Sequence, residues 1–143
     1  MIISRATEYA VIGLVHLARK KQSPLKVEEI AKEEGISAAY LEKVFQKLSE
    51  KALVKSKFGP GGGFVLAKDP RKISVFAVLK IFQARQMNQC VNFKQRDCGK
   101  VFCPFRQVVK KGEKLVFDFF KKQSIAKIAE KPSIFSKRKN RTN

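Results

Sequence analysis

The residues best equipped for chemistry are three cysteines, Cys90, Cys98 and Cys103, spaced C-x7-C-x4-C in a chain with no other thiol. Thiolates are soft ligands suited to zinc or to iron–sulfur clusters. An odd number of cysteines crowded into one stretch fits reduced thiols better than a disulfide framework. Structural zinc sites use paired C-x2–4-C knuckles, and these gaps do not supply two such pairs. A ferredoxin-like electron carrier needs four local cysteines. The trio therefore describes an incomplete site that another donor must finish, which suits a sensor better than a structural staple. The plainer alternative is three unrelated buried or loop thiols.

No other chemistry competes. The single histidine, His16, sits among apolar neighbours in a helical pattern and reads as a helix residue rather than a ligand. No nucleophile has a base nearby, so an enzyme is not expected. The Gly59-Pro60-Gly61-Gly62-Gly63 run resembles a phosphate cradle only superficially. It fits neither G-x-x-x-x-G-K-[ST] nor G-x-G-x-x-G opening a helix, and no βαβ unit surrounds it.

The second strong signal is charge. The 143 residues carry 31 Lys+Arg against 12 Asp+Glu, a net +19, far beyond what solubility needs. Nucleic acid is the obvious polyanionic partner, ahead of anionic lipid or acidic protein, with a solvated Lys-rich surface as the bland alternative. A hydrophobic content of 44% suffices for a packed core and argues against a disordered basic protein. No apolar run approaches the roughly 20 residues of a transmembrane helix. The N-terminus carries Glu8 early and lacks a small-residue cleavage site, so a cytoplasmic protein without a membrane partner is expected.

The elements that must position these groups are mostly helical. Ala6, Tyr9, Ala10, Gly13, Leu14 and Leu17 recur at helical spacing, which predicts a helix from about Ser4 to Lys20; Ser23-Pro24 breaks it. A short helix over Val27–Glu34 closes at Gly35. Ser37 caps a third helix over Ala38–Lys51, without the fuller capping box because Tyr40 stands three residues on. Strands at Leu53–Lys57 and Gly63–Leu66 flank the glycine-rich tip. Helix-turn-helix followed by a hairpin is a winged helix.

A fourth helix is expected from Val75 to about Gln86, capped by Ser74, with Ile73 and Val78 as a hydrophobic staple. A loop, Met87 to Cys103, carries the thiols. Cys103-Pro104 then opens a long helix to about Gln123. Its wide apolar face comprises Phe105, Val108, Val109, Leu115, Val116, Phe119 and Phe120, interrupted only by Gly112, with Phe117 off that face. A helix this oily beyond a complete small domain most simply packs on a second copy of itself. The expected division is a winged helix-turn-helix domain over 1–86, a cysteine loop and dimerisation helix over 87–130, and a disordered basic tail over 131–143 with five basic residues and no acid.

In a winged helix the third helix enters the major groove by its N-terminal end, where backbone N–H groups also favour phosphate. Ser37, Ala38, Ala39, Tyr40, Glu42 and Lys43 occupy that end. Ser37 and Tyr40 can donate to phosphate or base edges, and Glu42 can accept from a cytosine amine. Lys43 and Lys47, one turn apart, should follow the backbone. The alternatives are a half-buried Tyr40 and a merely solvated Glu42. Lys55, Lys57 and the Gly59, Pro60, Gly61 backbone can approach the adjacent minor groove, although a turn needing glycines would look the same. Arg5 and Lys26 add candidate phosphate contacts.

The stretch EEIAKEEGISAAYLEKVFQKLSEKALVKSKFGPGGGFVLAKDP, followed by a cysteine segment running into CPFRQV, resembles the Rrf-type winged-helix regulators, the bacterial repressors that include IscR, NsrR and CymR. The resemblance runs from about Ile2 to Glu130. It implies a homodimeric repressor of double-stranded DNA whose long helix pairs across the dimer and whose iron–sulfur cluster controls DNA affinity or site choice. Cys90, Cys98 and Cys103 match the family's three cysteines in order. Some members take a fourth ligand from a histidine just after the third cysteine, where this chain has Arg106. In others a carboxylate near the partner's N-terminus completes the site, and Glu8 occupies that place. Its plainer role is a first-turn acid favoured by the helix dipole. Ser37, Tyr40 and Glu42 match DNA-contacting positions. The wing departs: Phe58 stands where an arginine is common, which shifts the burden to Lys55 and Lys57. The competing expectation is a nucleic-acid-binding module with structural zinc or free thiols and no cluster.

Overall fold

A computed structural model describes residues 3–83 and 104–132. Helix α1 spans Arg5–Arg19, α2 Val27–Glu34 and α3 Ala38–Glu50. Strands β1 (Val54–Lys57) and β2 (Gly63–Leu66) follow, then a 3-10 turn at Pro70–Lys72. Helix α4 occupies Val75–Gln83, α5 Pro104–Lys121 and α6 Ile125–Ala129. Among these residues no helix is long and apolar enough to cross a membrane. The cysteine loop, the end of the fourth helix beyond Gln83 and nearly all of the basic tail lie outside the described residues.

Local chemistry sets the helix starts. The Ser4 hydroxyl accepts from the Thr7 N–H at 3.2 Å, and Ser37 accepts from the Tyr40 N–H at 3.3 Å. Ser74 accepts from the Ala77 N–H at 3.2 Å. Each satisfies one of the donors a helix start leaves unpaired. Gly35, at φ 67°, ends α2 in the left-handed conformation. The expected staple residues Ile73 and Val78 are both in the core. A buried polar node ties α1 to α4: the Gln83 side-chain oxygen accepts from the Thr7 hydroxyl at 2.8 Å and from the Ser4 N–H at 3.3 Å.

The core lies where α1 crosses α3, closed by α2, the hairpin, α4 and α6, with Leu14, Ile30, Leu41, Phe45 and Ile125 fully buried. The crossing is tight because α1 presents Gly13 to the Phe45 ring. A Cβ added at Gly13 would meet Phe45 Cε2 at 2.5 Å. That ring cannot retreat, since it packs edge-on against Phe64 at 5.1 Å between centroids. Gly13→Ala gains up to about 1 kcal/mol of helix propensity, but overpacking a rigid core costs about 1–3 kcal/mol. The expected net is destabilisation, read as a lower urea midpoint at unchanged m; a higher midpoint would mean that the two helices have room to part.

The hairpin is antiparallel in the register Val54↔Leu66 to Lys57↔Gly63. Leu25 adds an isolated antiparallel bridge to β2: its N–H donates to the Phe64 carbonyl at 3.0 Å and its carbonyl accepts from the Phe64 N–H at 2.9 Å. The approach requires glycine at 63, because a Cβ there would lie 2.6 Å from the Leu25 carbonyl oxygen.

Helix α6 is the element that periodicity did not anticipate. It is anchored from outside itself. The Val75 N–H donates to the Gln123 carbonyl at 2.8 Å, and the Ile125 N–H donates to the Ile73 carbonyl at 2.9 Å. Arg19 closes the far end by donating to the carbonyls of Ala129 (3.2 Å) and Lys131 (2.8 Å). Helix α5 stops at Lys121, two residues short of expectation, as Ser124 caps α6. Phe117, expected off the apolar face, packs on α4 with its ring 5.4 Å from that of Phe76. The face built from Phe105, Val108, Leu115, Val116 and Phe119 stands exposed.

Candidate nucleic-acid interface

Helix α3 and the wing project from one side of the core. Leu41, Val44, Phe45 and Leu48 turn inward, so the other faces of the same helix carry the polar residues outward. Ser37, Ala39, Tyr40, Glu42, Lys43 and Lys47 are exposed, whereas Ala38 is half-buried against the core. Tyr40 combines both expected characters: it is 41% exposed, yet its ring stands edge-on to Tyr9 at 5.6 Å, which fixes where its hydroxyl points. Lys47 is partly engaged within the chain, its Nζ 5.2 Å from the centre of the Phe82 ring.

On the wing, Lys55, Lys57, Gly59, Pro60 and Gly61 are all exposed. Gly59 and Gly61 adopt φ 97° and 73°, and the Gly62 N–H donates to the Gly59 carbonyl at 2.9 Å. The turn itself thus needs its glycines, whatever approaches it.

Between α3 and the wing runs a groove of about 620 Å³. It brings together four of the expected residues, Lys26, Glu42, Lys57 and Gly59, and adds Glu28 and Phe58. Arg5, Lys43, Lys47, Lys55, Pro60 and Gly61 lie outside its lining. Two lysines face two carboxylates there, so the groove floor is close to neutral while the surrounding face is cationic. Lys26 precedes α2; its backbone N–H donates to the Glu29 carboxylate at 3.3 Å, and its ammonium forms no ion pair among the described residues. Glu28 escaped the sequence reading because nothing local distinguishes it from Glu29; only the folded wing places it on the groove.

Cys90, Cys98 and Cys103 lie outside the described residues. Among the described residues, no group of three His, Cys, Asp or Glu side chains converges as a metal site. Glu8, in the first turn of α1, is exposed and forms no ion pair among them. Its carboxylate is open to an external cation, as a donor completing a three-thiolate set must be. His16 is the helix residue expected: its Nε2 lies 2.6 Å from Glu34 Oε1 and its Nδ1 3.5 Å from Glu33 Oε2, joining α1 to α2.

The three-helix core, the turn before α3 and the two-strand wing define a winged helix-turn-helix regulator. The sequence profile of the Rrf2 family, iron-dependent transcriptional regulators, matches residues 3–131, and the chain belongs to that family. The resemblance seen in the sequence is thereby borne out. A candidate HTH-type transcriptional regulator of Aquifex aeolicus is 44% identical over 82 residues, which is 57% of each chain. The HTH-type transcriptional regulator IscR of Serratia proteamaculans is 38% identical over 80 residues, covering 55% of this chain and 49% of that protein. The chain spans about half the length of these curated relatives. The global cysteine regulator CymR of B. subtilis superposes with a TM-score of 0.78 over 93% of this chain and 99% of its own, at 21% identity. That likeness is one of fold. The proteins matched are regulators rather than enzymes.

Proposed function

We propose that this chain works in the cytoplasm as a homodimeric DNA-binding repressor whose grip on promoters is set by an iron–sulfur cluster. The observation that carries this reading is the family match, which spans the cysteine segment and belongs to regulators described as iron-dependent. The N-terminal end of α3 enters the major groove, with Ser37, Ala38, Ala39, Tyr40, Glu42 and Lys43 at the base edges and nearby phosphates. The wing meets the adjacent minor groove. One sugar–phosphate strand then rides in the cleft between Glu42 and Lys57, and its neutral floor leaves Glu42 free to accept from a cytosine amine. Arg5, Lys26, Lys43, Lys47, Lys55 and Lys57 neutralise phosphates around it.

Cys90, Cys98 and Cys103 hold the cluster, with Glu8 of the partner subunit as the fourth donor. Three thiolates and one carboxylate are a chemically consistent set, because the hard carboxylate is the weak, exchangeable member against soft iron–sulfur. When bound, the cluster supplies iron that responds to iron status, nitric oxide or oxidants.

Anoxic reconstitution with iron and sulfide tests this. The expected product is a brown dimer with visible absorption and a cluster mass in native mass spectrometry, and Cys90→Ala removes the colour. A colourless protein holding stoichiometric zinc, or no metal, would sink the sensing half and favour a structural or free-thiol role.

A further inference from the structure

The wing tip carries the most exposed large apolar side chain among the described residues: Phe58 is 94% exposed. No aromatic or cation–π partner within the described residues covers it. A single exposed ring is ordinary on a protein surface; what marks Phe58 is its place at the wing tip, on the lining of the cleft beside α3. Its setting specifies the partner. Phe58 follows Lys57, precedes the tight glycine turn and lines the same cleft as Lys26 and Glu42. The cleft itself is near neutral, with Lys26 and Lys57 against Glu28 and Glu42, but the chain carries net +19. A flat apolar ring on a cationic protein matches a stacked polyanion better than an apolar protein surface.

We propose that Phe58 is a minor-groove wedge: its ring inserts at a base step beside the site read by α3, unstacks that step and bends the duplex. The inference rests on the wing facing the minor groove, as proposed above. Apolar side chains inserted between base steps kink DNA in this way, and stacking on an aromatic ring is sequence-tolerant because every base has a π-face. The wedge nonetheless confers specificity, because pyrimidine–purine steps (TA, CA/TG) unstack most readily. Phe58 therefore selects a flexible step at a position where no base edge is touched.

The test starts from duplexes that the full-length protein selects from a random 30-base-pair library. Expected are TA or CA steps enriched under the wing, and Phe58→Ala weakening binding by about tenfold or more. Phe58→Leu retains most of the affinity, since it keeps an apolar wedge. Replacing the flexible step by a GC step weakens the wild type but leaves Phe58→Ala unaffected, a coupling that a purely structural residue would not show. The chain has no tryptophan, so Phe58→Trp installs a single reporter whose emission should fall on binding and become shielded from acrylamide. Phe58→Ala binding within twofold of wild type, or a tryptophan as acrylamide-accessible bound as free, overturns the wedge while leaving DNA binding intact. If the wild type selects no duplex, the wedge falls together with the function on which it rests.

Discussion

Replacing Leu115 and Phe119 together by glutamate is expected to convert the proposed dimer to a folded monomer and to weaken binding to a two-half-site duplex by a hundredfold or more. The two side chains are 73% and 59% exposed, so the single chain loses nothing of its core. With Phe105, Val108 and Val116 they line one side of α5, and Gly112 interrupts that side with nothing within 4 Å of the position a Cβ would take. The opposite side is already used, with Phe117 against Phe76. A long helix that seats one face on its own domain and leaves another apolar face bare is shaped for a second copy. Burying a Leu or Phe contributes about 1.5–3 kcal/mol, and a two-fold axis repeats each loss and sets introduced carboxylates against one another. A monomer reading one half-site forfeits the effective-concentration gain of about 10²–10⁴. Sedimentation and fluorescence anisotropy report the two effects, and a variant that stays dimeric would place the interface elsewhere. Far-UV circular dichroism should not change.

What the sequence made legible was local. Ser37 and Ser74 announce their helices through hydrogen bonds three residues away, as Ser4 does where the first helix was expected to start, and Gly35 ends α2 by its own backbone freedom. The hairpin follows from two short β-like runs around a glycine cluster. Helix α6 was hidden because five residues, Ile125–Ala129, are too few for a period to declare itself. Its position is set by partners about fifty residues or more away in sequence, Ile73, Val75 and Arg19. Phe117 does lie off the wide apolar face, as its spacing says, but its partner was hidden for a related reason: periodicity does not show that this narrower side of α5 meets Phe76 on α4.

The candidate site divides the same way. That Glu42 lies on the outer side of α3 follows from where Leu41, Val44 and Phe45 point. That it shares a cleft with Phe58, Glu28 and Lys26 does not, because the cleft exists only once the wing folds back beside α2. Lys43 and Lys47 looked equivalent at one-turn spacing, and the difference between them arises from Phe82, on a helix that the sequence alone could not dock.

That difference carries the second large effect expected. Each chain offers Arg5, Lys26, Lys43, Lys55 and Lys57 as cations that form no ion pair among the described residues, and a dimer would double the set. Each phosphate neutralised releases condensed counterions, so log K falls by about 0.9 per contact against log salt, and 6–10 contacts lose roughly 10³–10⁵ in affinity between 50 and 200 mM. The proposed dimer should fall in the upper part of that range, measured by anisotropy titrations on a selected duplex. Lys43→Ala should flatten the slope by about one unit per protomer engaged. Lys47→Ala should flatten it less, because its ammonium must leave the Phe82 ring to reach a phosphate, and cation–π attraction of about 0.5–1 kcal/mol at an exposed site opposes that move. A slope that ignores Lys43→Ala, or one that Lys47→Ala flattens more, would mean that the duplex lies across α3 in an orientation other than one that seats the helix N-terminus in the major groove.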